Sequence, residues 1–403
     1  MDRGRLRLPV ALVAAVVAAE AAVLLLRPRA GVIEAAPVSA RSYFSPTELE
    51  RAREYRRPQL ALYGGQLLVE GGILLLLARR PPRWLARPFR RPLVAGGAVA
   101  AALSVGLGVA TLPLAAIGRQ RALDVGLATQ SWGGWAVDVA KSTAIGAALA
   151  GAGGVLLLGL MRRFPRRWWM PASGAVIAVG AVFLYVGPVV LAPLFNRFEP
   201  LPPGQTRSDV LEVAARAGVD VGEVYEVDAS RRTTAANAYV TGLGSTKRVV
   251  LYDTLLRDFS RDEVRLVVAH ELAHVRYRDV PYGLLYVALV APLSLLAAQR
   301  LTERMSSARG SPAVLPAAAL SLALVAGAVG VISNQLSRRI EARADTFALR
   351  LTDAPKPFID FERRITVRNV SEPDPPDWQV ALLGTHPPAV ERIAAAVAYE
   401  RGR

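Results

Sequence analysis

Seven apolar stretches, near 8–26, 59–78, 93–117, 139–160, 172–194, 282–298 and 313–332, constrain this chain more than any other feature. Each approaches the roughly 20 residues that a helix needs to cross about 30 Å of hydrocarbon. A spanning segment must satisfy its backbone internally, so helices are the expected form. The first stretch follows Arg3, Arg5 and Arg7 in the manner of a signal peptide. Its apolar run exceeds the roughly 7–15 residues of such a leader, and the nearest small-x-small site, Val38-Ser39-Ala40, lies too far downstream. A spanning helix is expected there too.

Composition supports a multi-pass membrane protein: 52% of the residues are hydrophobic, 20% are charged and none is cysteine. Disulfides, thiolate metal sites and cysteine nucleophiles are therefore excluded. The net charge of +16 invites a nucleic-acid reading. However, lysine occurs only at 141, 247 and 356, and the arginines bunch where apolar runs end, at 79–80, 90–91, 162–163 and 166–167. There they anchor helices at anionic headgroups. No aromatic–basic interleaving accompanies them, so no nucleic-acid partner is expected. The Ala/Arg/Gly-rich composition looks bacterial.

Four segments are expected. Residues 1–195 hold five spans, 196–280 an extramembrane segment, 281–334 spans six and seven, and 335–403 a second extramembrane segment. The first of the outer segments opens with a Pro-rich linker at 199–204 and continues as an amphipathic helix, 207–217, ending at Gly218. Short β-rich runs follow at 224–227, 238–240 and 248–252. The last segment reads as a helix through 341–351, a Pro/Asp-rich loop at 371–377 and a terminal helix from about Pro388. Glu20, Glu70, Asp138 and Lys141 fall within or at the mouths of spans, where a charge costs about 2.5–3.5 kcal/mol at the bilayer centre. Either they pair within a tight bundle or they line a wet interior.

Of three histidines in the chain, two lie in His270-Glu271-Leu272-Ala273-His274. Ser260 and Glu263 form a capping-box pair that starts a helix here, so the two imidazoles stand one turn apart and can share one tetrahedral metal. Glu271, rotated about 100° from His270, puts a carboxylate beside the open position, where it can take a proton from water. A catalytic zinc takes three protein ligands. Glu341 is the strongest third candidate, because the two spans between it and the histidines return the chain to the same membrane face. Asp345, one turn on, can hold a ligating imidazole as an outer acceptor; otherwise both acids pair with Arg338 and Arg339 on a solvated helix face. His386, in Thr385-His386-Pro387-Pro388, fits a donor toward an oxyanion. Arg392 is its helper or an ordinary surface arginine.

These pieces resemble the type I CAAX prenyl protease family, integral-membrane zinc metalloproteases distantly related to HtpX-like proteases. The resemblance rests on Ala236-Asn237-Ala238-Tyr239-Val240-Thr241-Gly242, Val249-Val250-Leu251-Tyr252-Asp253-Thr254-Leu255-Leu256, the His-Glu-x-x-His run, Glu341 with Asp345, and Thr385-His386-Pro387-Pro388. It extends into the membrane half through 126–135 and Phe195-Asn196-Arg197-Phe198. It implies a mainly α polytopic fold, seven helices around a water-filled chamber with a small α+β metalloprotease domain. It also implies one Zn2+ on His270, His274 and Glu341, Glu271 as base and acid, and His386 and Arg392 stabilising the transition state. Asn237, Ala238 and Tyr239 become the edge on which the substrate peptide lies, with Asn237 touching its backbone or merely capping a turn. The substrate is then a prenylated C-terminus or, in a bacterium, a membrane-associated or misfolded peptide. The family's catalytic side faces the cytoplasm; the basic residues of the short loops divide between both faces. A transporter or channel with a structural zinc is the competing class.

Overall fold

The computed structural model describes residues 7–34, 36–85, 87–242 and 247–402; Arg3 and Arg5 lie outside the described residues. Long helices dominate. The spans are α1 (Arg7–Leu26), α2 (Pro46–Arg79), α3 (Pro92–Asp124), α4 (Trp132–Arg163) and α5 (Trp169–Val186), followed later by α9 (Asp279–Met305) and α10 (Leu315–Thr352). Between them come α6 (Gln205–Ala217), α7 (Asp253–Asp258) and α8 (Arg261–Arg276), and the chain closes with α11 (Pro355–Arg368), α12 (Asp377–Leu383) and α13 (Ala389–Arg401).

Six helices are long and apolar enough to cross a membrane unbroken, and the seventh span is bent. Its two parts, 169–184 and 187–194, meet at 45°. Pro188 lacks an N–H to donate, and a π-helical turn over Gly187–Leu191 absorbs the break. Among the described residues the spans form a closed ring: α10 packs on α2, α2 on α3, α3 on α4, α4 on α5, α5 on α9 and α9 back on α10, with α1 lying against α9 and α10. Little of α2, α3 and α4 is buried, only 6% of the apolar window of α2 and 17% of those of α3 and α4. The closest approach is between α3 and α4. A Cβ on Gly154 would stand 2.5 Å from Ala100 Cβ and 2.9 Å from the Gly96 carbonyl, so glycine is what permits the contact.

The intramembrane charges mostly have partners. Asp138 accepts from Arg232 Nε at 2.9 Å and from Gln130 Nε2 at 2.6 Å. Lys141 donates to the Leu194 carbonyl at 3.1 Å, and Glu20 accepts from Gln335 at 3.5 Å. The Arg232 bond also joins the membrane half to the outer domain, beside a short bridge between Ala128 and Thr233.

That domain is built on four strands, β1 (Phe198–Pro200), β2 (Glu223–Val227), β3 (Ala238–Thr241) and β4 (Arg248–Tyr252), in the order β1-β2-β4-β3. β2 and β4 run parallel, and the other pairs are antiparallel. Val224, Val249 and Leu251 bury against Val210 and Val213 of α6 and against Val268 and Leu272 of α8. Gly218 closes α6 with φ +67°, the left-handed geometry that favours glycine.

Three features depart from the sequence reading. β1 forms inside the Pro-rich linker, because the backbone of Phe198–Pro200 finds β2 as a partner. The seventh span and the Glu341 helix are one 38-residue helix, α10, with no break at 334. α11 and α12 were not anticipated, and α11 buries Phe358 and Phe361 against α8 and α13.

Candidate active site

The Ser260–Glu263 capping box starts α8: Ser260 N donates to Glu263 Oε2 at 2.6 Å and Glu263 N to Ser260 Oγ at 3.4 Å. One face of α8 buries Val264, Val268 and Leu272 in the domain core. His270 and His274 therefore emerge together on another, ring centroids 5.1 Å apart. α10 packs across α8 and brings Glu341 to them. His270 Nε2 lies 3.1 Å from Glu341 Oε2, and His274 Nε2 lies 3.8 Å from Glu341 Oε1. One ligand atom from each residue lies within 4.8 Å of the other two. A tetrahedral ion with bonds of about 2.0–2.1 Å separates its ligands by about 3.3 Å, so two imidazoles and a carboxylate at these spacings fit a divalent metal.

A ring of acids stands behind the imidazoles. His270 Nδ1–H donates to Asp345 Oδ1 at 2.9 Å, and His274 Nδ1–H donates to Asp279 Oδ2 at 3.0 Å. Both bonds engage Nδ1 and leave Nε2 as the nitrogen turned toward Glu341, the atom a metal would take. Asp279 is itself held by Arg343, whose guanidinium sits 4.1 Å from the centroid of the Tyr277 ring. Asp345 accepts from Arg392 twice, Nε to Oδ2 at 2.8 Å and Nη2 to Oδ1 at 2.5 Å. Arg392 Nη1 meets Glu362 Oε1 at 2.8 Å, and the Asp345 and Glu362 side chains are each only 2% exposed.

This setting moves the titrations of the extramembrane groups. Burial opposes a charged His270, yet the Asp345 and Glu341 hydrogen bonds raise it to about 10. Burial pushes the Glu271 carboxyl up, against the opposing pull of His270 and His274. Burial also pushes Glu362 up, to about 7, despite Arg392. Arg392 is held charged: burial works against it, but Asp345 and Glu362 raise it further. His386, at the open mouth of the site, is lowered by partial loss of water around its ring, with Glu341 pulling the other way.

The remaining residues singled out in the sequence lie around this centre. His386 Nε2 is 3.4 Å from Glu341 Oε2, and its side chain is 59% exposed. The Thr385 hydroxyl sits 3.0 Å from its Nδ1. β3, carrying Ala238 and Tyr239, is an edge strand of the sheet, and α8 packs against it. Asn237 precedes it; its side-chain oxygen accepts from Ala238 N at 2.9 Å and its carbonyl from Tyr252 N at 3.1 Å. Arg338 donates to the Val380 and Gly384 carbonyls rather than to Glu341. Arg392 stands behind His270, through Asp345. Sequence reasoning missed Asp279, Arg343 and Glu362. Asp279 is five residues past His274 at a helix junction, a signal that spacing offered; Glu362 is one of two acids on an amphipathic helix and offered none.

The comparisons with known proteins point the same way. The family model described as "Peptidase family M48" matches residues 200–400, and "CAAX prenyl protease N-terminal, five membrane helices" matches 33–197. That second match begins after α1. The "Uncharacterized metalloprotease YhfN" of Bacillus subtilis is 30% identical over 371 residues, 88% of this chain and 87% of that protein. A "CAAX prenyl protease 1 homolog" of Oryza sativa is 32% identical over 230 residues, 55% of this chain and 54% of that protein. The crystal structure of S. mikatae Ste24p shares the fold with a TM-score of 0.75 over 98% of this chain and 99% of that one, at 19% identity.

Proposed function

The chain belongs to the type I CAAX prenyl protease family within peptidase family M48, and on that premise we propose that this membrane metalloendopeptidase uses zinc held by His270, His274 and Glu341 to cut a peptide laid along β3. The observation that carries the proposal is the convergence of those three side chains beside Glu271. Zinc, when bound, supplies a Lewis acid that polarises the scissile carbonyl and acidifies water.

The protein's own groups do the rest. Glu271, raised above an ordinary carboxyl by burial, accepts the proton of the attacking water and returns it to the leaving amine. His386 is exposed and carries its proton on Nε2 when the Thr385 hydroxyl donates to Nδ1, which suits a donor to the developing oxyanion. Arg392 acts at one remove, locking Asp345 and so His270, since its guanidinium is engaged by Asp345 and Glu362. The free edge of β3 offers backbone groups to an extended substrate from Ala238 to Thr241. A transporter with a structural zinc is disfavoured, because such sites are closed by four protein ligands and three converge among the described residues.

The relatives' names suggest a lipid-modified or membrane-associated peptide as substrate. The Bacillus relative supports a bacterial cell membrane, and the family resemblance supports a cytoplasmic catalytic side. The test measures zinc content and cleavage of a quenched peptide, with and without a prenyl group, for wild type beside Glu271→Gln. Both proteins are expected to hold about one zinc, and the variant to lose at least about 100-fold in rate. Equal cleavage by the variant would sink the assignment of Glu271, and cleavage indifferent to chelation would sink the zinc mechanism.

A further inference from the structure

The far end of the bundle carries a feature that peptide hydrolysis does not use. α9 begins at Asp279, beside the metal-binding histidines, and its 27 residues carry the chain about 40 Å away. There, where α1 begins, α4 turns into α5 and α9 ends, lies a cavity of about 610 Å3. Arg7, Arg166, Arg167, Arg300 and Arg309 line it, with Glu303 as the one carboxylate among the lining residues.

That carboxylate is already engaged. Glu303 Oε2 accepts from Arg300 at 3.0 Å, and Oε1 accepts from Gln299 at 2.9 Å. Gln299 is fully buried and also donates to the Arg166 carbonyl at 3.0 Å, so it fixes the α4–α5 turn against α9. The guanidiniums of Arg7, Arg166, Arg167 and Arg309 have no hydrogen bond or ion pair among the described residues. Four like charges thus converge on one cavity whose only acid is spent on its framework. Such an arrangement repels itself unless an anion enters, and guanidinium forks match phosphate oxygens bidentately.

Position says which anion. The cavity lies where the spans end, at headgroup depth, and Trp169, Met170 and Leu296 complete its wall. The neighbouring helices are apolar toward the bilayer: Val10, Val13 and Val17 of α1 and Val176 and Val179 of α5 are all exposed. α1 and α5 both pack on α9. A soluble phosphate would use only the arginines, whereas a lipid would use the arginines and the apolar wall together.

We propose that this cavity binds the phosphodiester headgroup of an anionic phospholipid, at the membrane face opposite the metal site. The lipid would neutralise the four unpaired arginines and tie α1, α5 and α9 together at that end. The inference is independent of the catalytic reading.

The full chain, purified in neutral detergent, would be titrated with dioleoyl phosphatidylglycerol or dioleoyl phosphatidylcholine, and retained lipid counted by native mass spectrometry. Each arginine near a headgroup contributes about a fivefold preference for an anionic lipid, so wild type should retain phosphatidylglycerol at least about tenfold better. Arg166→Gln/Arg167→Gln/Arg309→Gln should cut that preference to about fivefold or less, the share left to Arg7. The matched variant Arg83→Gln/Arg87→Gln/Arg90→Gln, in the loop between α2 and α3, should keep the preference. Arg309→Gln alone, at an exposed side chain, should fall between and guards against misfolding of the triple variant. Equal retention of both lipids by wild type overturns the proposal, as does a preference that survives the first triple variant undiminished or is lost equally in the second. Displacement of the lipid by glycerol 3-phosphate at equal concentration overturns the lipid source and assigns the cavity to a soluble phosphate.

Discussion

Asp279 tests how far the proposed metal site extends beyond its three candidate ligands. It holds His274 Nδ1–H at 3.0 Å in the way Asp345 holds His270 at 2.9 Å, and Arg343 backs it as Arg392 backs Asp345. Asp279→Asn should therefore weaken metal binding roughly 10- to 100-fold by competitive chelator titration while leaving kcat of the fully loaded enzyme within about threefold. A second prediction follows from His270, raised to about 10 in the metal-free protein by its Asp345 and Glu341 hydrogen bonds against the cost of burial. At pH 7 the ring is protonated, so a metal that takes Nε2 must expel that proton. Affinity should rise with pH up to about 10, and calorimetry in buffers of different ionisation heat at pH 7 should report about one proton released from this group. The His-Glu-x-x-His run announced both imidazoles and Glu271 because three residues at fixed spacing on one helix carry the whole signal. Arg392 was legible only as a nearby arginine. Its engagement with Asp345 and Glu362 depends on α13 lying against α10 and α11, which local sequence does not encode.

At the scale of elements, the α3–α4 pair is the contact most dependent on small residues. Gly96, Gly97, Gly151 and Gly154 bring the two backbones together, and a Cβ on Gly97 would meet Val155 Cγ2 at 2.8 Å and the Gly151 carbonyl at 3.2 Å. Gly154→Val should destabilise the protein by about 1–3 kcal/mol, read as a lower thermal midpoint in detergent, without changing zinc content. Gly153→Val, one residue away with open space around its Cβ position, should cost much less. Helix identity and most boundaries were plain in the apolar pattern and caps, as with Ser260 and Gly218. β1 was not, because three residues containing a proline become a strand only when β2 supplies the partner.

For the whole molecule, the question is how a membrane ring and an outer domain act as one body. Two covalent connections, α9 and α10, carry the chain from the histidines out and back to Glu341, so the His270–Glu341 contact joins segments about 70 residues apart in sequence. A polar clasp reinforces them: Arg232 of the outer domain grips Asp138 of α4 with two bonds, at 2.9 and 3.3 Å, at a site mostly shielded from solvent. A double-mutant cycle with Arg232→Gln and Asp138→Asn should show coupling of about 1–2 kcal/mol in thermal stability, with zinc content unchanged in both single variants. Additive effects would mean that the clasp does not hold the halves together.

By itself the sequence determined that the chain crosses a membrane several times, that two imidazoles share one helix face with a carboxylate beside them, and that Glu341 returns to their side. These follow from periodicity and hydrophobic length, which act over one helix or one span and need no knowledge of neighbours. Only the tertiary structure decided that the spans close into a ring, that Asp279 and Glu362 stand behind the histidines and Arg392, and that four arginines from the start of α1 and two separate loops meet in one cavity. Those outcomes depend on which helix packs beside which, and the energy that selects them is spread over many small contacts between residues far apart in the chain.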